Sequence, residues 1–170
     1  RAAEAGRPTA QLSLGLYHLY GHGVERSDAL AADWLSRAAD AGLAPAQNEL
    51  GRLVQSGGQG VPADATRAAD LFRLATHQGH VQSMVNLGTA CLVGKGVPRD
   101  EARARRLVQR AASAGDTEAV RLLAVLDRPG GVAELVADDD ARPPVHCAAG
   151  VEGCDAESHA SKKNGQLSPE

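Results

Sequence analysis

The sequence is poor in aromatic residues and in cysteine. Its 170 residues include one Trp, two Tyr, one Phe and three Cys, and three cysteines are too few for a small scaffold held together by disulfides. No apolar run approaches the roughly 18 residues that a membrane-spanning helix needs. The formal net charge of -3 lacks the basic excess of a general nucleic-acid binder. We therefore expect neither membrane insertion nor a nucleic-acid partner.

Alanine supplies much of the apolar content instead. It occupies 32 positions, within a hydrophobic share of 43% that is close to the average for globular chains. Because such small side chains fill only narrow gaps, the elements of the folded core must approach each other closely.

Comparison of the sequence with itself shows a tandem repeat. Glycine recurs at steps of 36, 37 and 36 residues, and a second glycine follows nine residues after each of the first three. Each full unit also contains a Gly-x-Gly-Val loop, with one additional residue, Gly57, before the middle copy. Such a period is typical of stacked supersecondary units. The first column is Gly6, Gly42, Gly79 and Gly115, the second is Gly15, Gly51 and Gly88, and the loops begin at Gly21, Gly58 and Gly94.

Each unit is predicted to be a pair of antiparallel helices. The first helix carries Ala-x-x-x-Leu-Gly at helical spacing, and the loop ends it because glycine tolerates the positive φ of a tight reversal. Ser27, Asp64 and Asp100 are the expected N-caps of second helices roughly 15 residues long. No strand pattern occurs, so the sequence predicts an all-α fold. The second helices are expected to bury Ala31, Trp34 and Ala38, then Ala68, Leu71 and Ala75, then Ala104, Leu107 and Ala111 between adjoining hairpins.

These columns resemble the Sel1-like repeat (SLR) family, relatives of the tetratricopeptide repeats, over residues 1–127. The resemblance implies a right-handed α-α superhelix, or solenoid, that scaffolds protein complexes, and it does not imply catalysis. It also implies that the first helix of each pair lines a concave surface. The sequence departs from the family where an aromatic is expected three residues after the second glycine, because His18, Val54 and Cys91 stand there.

The array is predicted to contain a half repeat 1–6, full repeats 7–42, 43–79 and 80–115, and a terminal half repeat 116–127. Residues 1–6 copy the end of a second helix, so we expect the chain to be a fragment of a longer protein. Residues 128–170 form a polar tail that includes the charge run Asp138–Asp140 and the helix-breaking Arg142-Pro-Pro144. Within it, Val132–Ala137 is expected to form a short helical turn. We expect the rest of the tail to be disordered because its apolar surface is too small to offset the entropy of ordering.

No arrangement of residues indicates catalysis or a cofactor. The Gly-x-Gly loops join two helices and do not follow a strand, which favours a structural turn over a phosphate cradle. The carboxylates of Glu25 and Asp28 are expected in surface loops, away from any partner that would complete a general acid–base pair. We therefore predict that the chain is not an enzyme and binds no cofactor.

Histidine and cysteine do not form a convincing metal site. His18 with His22, and His77 with His80, lie about one helical turn apart but lack a carboxylate or thiol at matching spacing. The tail contains an irregular set, and a Cys147–Cys154 disulfide is its alternative. We predict no bound metal and expect Cys91 to be a small buried hydrophobe. The tail set is His146, Cys147, Cys154 and His159.

The first helices carry the residues expected to face the concave surface. Positions six and ten after each inter-unit glycine should point away from the second helix, and a mixed apolar and amide-bearing groove suits an extended peptide or a partner helix. The polar members Asn48, Arg52 and Thr89 are the predicted partner contacts. Packing between units is the alternative for Leu12 and Val85. The full set is Leu12, Leu16, Asn48, Arg52, Val85 and Thr89.

Four arginines form a second candidate surface. Arg99, Arg103, Arg106 and Arg110 are spaced four, three and four residues apart, which predicts one stripe opposite the apolar face of the third second helix. Because like charges one turn apart repel, an acidic partner or the folded-back run Asp138–Asp140 would balance the stripe. The pattern alone favours a solvated outer face over a partner site.

The sequence thus favours a non-catalytic scaffold that holds another protein, as a peptide or a helix, in its concave groove. The alternative is an architectural segment of a larger protein whose catalytic or membrane domain lies outside this chain.

Overall fold

The computed structural model describes residues 2–133, which form an all-helical stack. Within this range no strand occurs, and the one extended pairing is an isolated bridge between Gly58 and Val61. The second helices have 13 residues each, two fewer than expected. Residues 131–133 are also helical. The helices are α1 (Pro8–Tyr20), α2 (Asp28–Asp40), α3 (Ala44–Ser56), α4 (Ala65–His77), α5 (Val81–Val93), α6 (Glu101–Ser113) and α7 (Thr117–Leu126).

Each helix packs mainly against its neighbours in the chain. Helices α1 and α2, α3 and α4, and α5 and α6 form hairpins, while α2 packs on α3, α4 on α5, and α6 on α7. This arrangement confirms the predicted stack of helix pairs. The core therefore runs as a series of apolar clusters between consecutive hairpins.

The side chain that fills each hairpin lies one residue later than predicted. The six predicted alanines of α2, α4 and α6 are fully buried. The bulky residue between each pair of alanines is Leu35, Phe72 or Val108, and all three are fully buried as well. Leu107 is buried and Leu71 packs against a core cluster. Trp34 is only half-buried, and the Arg37 guanidinium lies 4.6 Å from its ring centroid.

The second glycine column exists because of these bulky residues. A Cβ atom built on Gly51 would lie 2.6 Å from Phe72 Cε1, and one on Gly15 would lie 2.8 Å from Leu35 Cγ. The equivalent distance from Gly88 to Val108 Cγ2 is 2.9 Å. The glycine in each first helix therefore receives the side chain of its paired helix, and this contact sets the separation of the two helices.

We expect Gly51→Ala to lower the free energy of unfolding by about 1–3 kcal/mol, because the added methyl group overpacks the core. Alanine in a helix normally gains about 1 kcal/mol over glycine, but here the added methyl group would meet the Phe72 ring, which is fully buried. Urea denaturation measures the change. In a Phe72→Leu background the same substitution should cost less, since the double-mutant cycle removes the clash. Undiminished stability of Gly51→Ala would contradict the assignment.

The turns between the helices have the predicted local chemistry. Ser27, Asp64 and Asp100 accept hydrogen bonds from the backbone N–H three residues later, at 3.3, 2.9 and 2.8 Å. The backbone N–H of each cap also donates at 2.9 Å to a carbonyl of the preceding first helix, which folds the loop back onto that helix. The three expected N-caps are therefore confirmed.

Gly79 ends α4 in a left-handed conformation. Its φ is 84°, its N–H donates to the Thr76 carbonyl at 3.0 Å, and the N–H of His80 donates to the Ala75 carbonyl at 3.0 Å. This pair of bonds is the Schellman motif, in which glycine avoids the steric cost of a Cβ atom. A Cβ atom there would meet nothing within 4 Å, so the constraint lies in the backbone and not in packing.

Gly79→Val should therefore be destabilising by about 1–2 kcal/mol, since a β-branched residue resists positive φ. Gly79→Asn is the matched control, because asparagine tolerates the left-handed region and should cost clearly less. Thermal unfolding followed by circular dichroism compares the two variants. Equal melting temperatures would show that this backbone conformation imposes no constraint.

Asp28 corrects one expectation, because it does not lie in a surface loop. It is the first residue of α2, is 4% exposed, and its Oδ2 accepts the Gln59 backbone N–H at 2.9 Å. Arg26 lies 3.4 Å from its other oxygen. A Cβ atom on Gly58 would lie 2.7 Å from Asp28 Oδ2. The carboxylate thus joins the first repeat to the loop of the second.

The packed structure continues past the predicted end of the array. Val132 packs against the cluster that contains Phe72 and Leu126, and Arg105 pairs with Asp127 and donates to the Leu126 carbonyl at 2.9 Å. The packing thus extends at least to Val132. The predictions for Asp138–Asp140 and for the cysteines and histidines of the tail concern residues outside the described range.

Candidate interaction surfaces

The first-helix face presents only part of the predicted groove set. Arg52 and Thr89 are exposed, as predicted. Val85 is 2% exposed and belongs to a core cluster, and Leu12 packs against another. The alternative assignment of these two residues to packing between units is therefore right. The half-exposed Arg52 lies 3.2 Å from the carboxylate of Glu49, whose side chain is mostly buried.

Asn48 does not face the groove, and its predicted role as a direct partner contact is wrong. It is 2% exposed, and its Nδ2 donates to Glu49 Oε1 at 3.0 Å. Its Oδ1 accepts hydrogen bonds from Ser83 Oγ and Asn86 Nδ2, both at 2.9 Å. These bonds join α3 to α5, so the buried amide holds neighbouring repeats together and a partner cannot reach it.

Asn86 is the surface residue that sequence reasoning missed. Its bond to Asn48 fixes one Nδ2 hydrogen, which leaves its Oδ1 and second hydrogen for other partners. It lies one position after Val85, and the equivalent residues of the first and second units are Ser13 and Glu49. Because no asparagine recurs at this position, the repeat pattern did not indicate it. A cavity of about 180 Å³ opens beside it, lined by Gln55, Val85, Asn86, Thr89, Ala90, Val93, Lys95 and Glu118.

A glutamine column is a second feature that the glycine pattern did not indicate. The Nε2 atoms of Gln11 and Gln47 donate to the carbonyls of Ala3 and Ala39, each at 3.2 Å and each eight residues earlier. Gln47 Oε1 in turn accepts from Gln78 at 2.8 Å. These side chains satisfy the end of the preceding second helix. Their exact 36-residue spacing is the signal that could have revealed them.

His80 contacts Ser83, the residue that also bonds Asn48 of α3, and it is the N-cap of α5. Its Nδ1 accepts the Ser83 backbone N–H at 3.3 Å and lies 2.9 Å from Ser83 Oγ. Burial lowers the pKa of His80, and the negative charge of Glu49 partly offsets that effect. The folded protein therefore favours the neutral imidazole, which serves as the N-cap acceptor.

Acidification should weaken the fold through this histidine. Because its pKa is lower in the folded state than the ordinary 6.5, the unfolded chain takes up the proton first as the pH falls below about 6.5. The stability that His80 contributes is thus present above that pH and is lost below it. Denaturant titrations at pH 8 and pH 5.5 should show a smaller pH-dependent loss in His80→Asn, which keeps a capping acceptor.

His22→Asn is the matched control for this measurement, because it removes an exposed histidine. It should leave the pH dependence of stability unchanged. An equal pH-dependent loss in His80→Asn and the native chain would show that His80 does not carry it.

The predicted arginine stripe is divided by the structure. Arg99 precedes the N-cap Asp100 and therefore does not lie on α6. Arg103 and Arg110 line a cavity between α4 and α6, whereas Arg106 is exposed outside that cavity. Three of the four arginines therefore lie on α6, as their spacing predicted, but only Arg103 and Arg110 line the same cavity.

Cys91 is a buried free thiol, as expected for a small apolar side chain. Burial raises its pKa, while the Arg103 charge acts in the opposite direction and Asp100 raises the pKa further. Over residues 2–133, no group of three or more His, Cys, Asp or Glu side chains lies close enough together to hold a metal ion. Within the same range, no helix is long and apolar enough to cross a bilayer.

Stacked hairpins of two helices define an α-helical repeat protein. The family model of the Sel1 repeat matches residues 8–43, 44–80 and 81–116. The chain therefore belongs to the Sel1 repeat family, a non-catalytic repeat fold whose members generally serve as protein-interaction scaffolds. This confirms the resemblance, and each matched unit begins one residue after the predicted one.

Solved structures support the same assignment. A Sel1 repeat protein from Oxalobacter formigenes is 33% identical with a TM-score of 0.63, and the match covers 71% of this chain and 90% of that one. The protective antigen c5321 of uropathogenic Escherichia coli, which displays an SLR fold, is 37% identical with a TM-score of 0.67. That match covers 69% of this chain and 25% of the antigen, so the chain spans about a quarter of its length.

A more distant likeness extends the fold comparison. Cysteine-rich protein B of Helicobacter pylori is 20% identical with a TM-score of 0.57, over 72% of this chain and 95% of that one. This likeness concerns the fold alone. No curated protein matches the sequence significantly.

Proposed function

We propose that this chain is a non-catalytic scaffold that holds an extended segment of another protein along the face formed by its first helices. The observation that carries the proposal is the cavity beside Asn86, which is lined by amide, hydroxyl and apolar side chains from α3 and α5, by Lys95 of the following loop and by Glu118 of α7. An extended peptide offers backbone N–H and C=O groups together with side chains, and such a mixed surface can engage both.

Three residues would contact the segment directly. Asn86 retains one donor and its acceptor beyond the bond to Asn48. Thr89 donates to the Val85 carbonyl at 3.0 Å, so its oxygen is available as an acceptor. Arg52 is about half exposed at the edge of the face and pairs with the carboxylate of Glu49, whose side chain is 19% exposed. The exposed part of its guanidinium has further N–H donors for a partner segment.

Asn48 supports this face from beneath. Because its Oδ1 binds both Ser83 and Asn86, it fixes the orientation of the Asn86 amide before any partner arrives. Preorganisation of this kind raises affinity by reducing the ordering entropy of binding. Asn48 is thus a positioning residue of the proposed face.

Arg52→Glu should weaken capture of the native partner by about tenfold or more, as expected when a partner meets a reversed charge at its contact surface. Affinity capture with the intact protein, quantified by mass spectrometry, measures the loss, and helical circular dichroism should remain unchanged. Arg67→Glu is the matched control, since Arg67 is exposed on the second helix α4 and undergoes the same change in charge. Equal capture by both variants and the native chain would refute the proposed face.

The architectural alternative has one observation in its favour. Tyr17 is 49% exposed, although the equivalent Leu53, Ala90 and Leu126 are buried between repeats. A face of this kind suits stacking against another helical unit. Loss of capture in Tyr17→Ser, without loss in Arg52→Glu, would favour this alternative over the groove.

A further inference from the structure

A cavity on the opposite side of the stack concentrates positive charge. It has a volume of about 200 Å³ and lies where α4 meets α6. Arg73 and His77 stand one turn apart on α4, while Arg103 and Arg110 stand two turns apart on α6. None of its lining residues is acidic. The lining consists of Arg73, Thr76, His77, Leu87, Arg103, Leu107 and Arg110.

The charges of this cavity are not neutralised from within. In the described part of the chain, neither Arg103 nor Arg110 forms an ion pair. Arg73 lies 2.8 Å from Asp70, but both side chains are more than half exposed. Such a surface pair is worth little, so Arg73 can turn part of its guanidinium to a ligand. The cavity therefore has two unpaired cations and a third that is weakly paired.

Thr76 provides an independent sign of a missing partner. It lines the cavity and is 8% exposed. Its Oγ1 is the one buried side-chain polar atom in residues 2–133 that has no hydrogen bond, and such atoms are uncommon because desolvation without a bond is costly. A threonine in a helix has two accessible χ1 rotamers, so this hydroxyl is able to change its direction when a ligand offers a hydrogen bond.

We propose that this cavity binds the phosphoryl group of a phosphorylated serine or threonine in a partner segment. The group carries a charge of about -1.5 to -2 and three accepting oxygens, which matches two unpaired guanidiniums and the Thr76 hydroxyl. A carboxylate carries one charge and two oxygens, and would leave one of the two arginines without compensation. Arginine clusters favour phosphoryl groups because their planar forks bind two oxygens at once.

This site goes beyond the scaffold face described above and does not depend on it. The first-helix face holds backbone and side chains of an extended segment, whereas this cavity recognises one modified side chain on the second helices. Because Arg52 lies on α3 and outside the cavity lining, Arg52→Glu should retain this binding. Failure of the groove proposal would therefore leave the result here unaffected.

The test is an NMR titration of the full chain with O-phosphoserine, inorganic phosphate and glutamate. We expect saturable shifts in signals of Thr76, Arg103 and Arg110 with O-phosphoserine. Arg103→Gln and Arg110→Gln should each weaken binding by about tenfold or more, as loss of a hydrogen bond to a charged group predicts. Thr76→Val should weaken it by about threefold, in line with one neutral donor. Circular dichroism confirms that each variant is folded.

Arg106→Gln is the matched control, since it removes the same charge from the same helix outside the cavity. It should change the dissociation constant by less than about twofold. An equal loss in Arg106→Gln would overturn the proposal in favour of diffuse attraction. Equal affinity for glutamate would overturn the choice of a phosphoryl group, and binding of inorganic phosphate without O-phosphoserine would exclude a side chain as its source. Unchanged binding in Thr76→Val would overturn the assignment of the Thr76 hydroxyl as a donor to the phosphoryl group.

Discussion

The contact on which this structure depends is the approach of a bulky side chain of each second helix to a glycine of its paired first helix. Leu35, Phe72 and Val108 fill the space that a Cβ atom on Gly15, Gly51 or Gly88 would need. In a chain with one phenylalanine and 32 alanines, close backbone approach substitutes for large side chains and preserves the density of packing. The helix pair is therefore the rigid unit, and all surface geometry follows from how these units join.

Polar side chains join the units. Asn48 links α3 to Ser83 and Asn86 of α5, and Asp28 holds the Gln59 N–H of the next loop. The side chains of Asn48, Ser83 and Asp28 are buried and hydrogen-bonded, and a buried polar group is costly unless its partners are correctly placed. Such joints favour one register of neighbouring repeats over slipped alternatives, which apolar alanine surfaces alone would specify weakly.

Local chemistry made much of the fold predictable from the sequence. Glycines with positive φ and N-caps such as Asp64 and Asp100 act through residues three or four positions away, so their patterns are visible within one repeat. The sequence did not show whether Leu71 or Phe72 packs against the paired first helix. The two residues are adjacent and both apolar, so they differ only in the direction in which each points from the helix axis. Asn48 was misjudged because its burial depends on Ser83, 35 residues later, and only the joint between repeats brings the two together.

The two surfaces differ in what a ligand would do to the stack. Arg73 belongs to α4, whereas Arg103 and Arg110 belong to α6, so an anion held by all three bridges consecutive repeats. In a solenoid, stability is approximately the sum of repeat and interface contributions, and a ligand that binds only the assembled interface adds its binding free energy there. A bridging anion would thus fix the angle between the second and third repeats. The hydrogen bonds of Asn48 with Ser83 and Asn86 join the same two repeats on the other face.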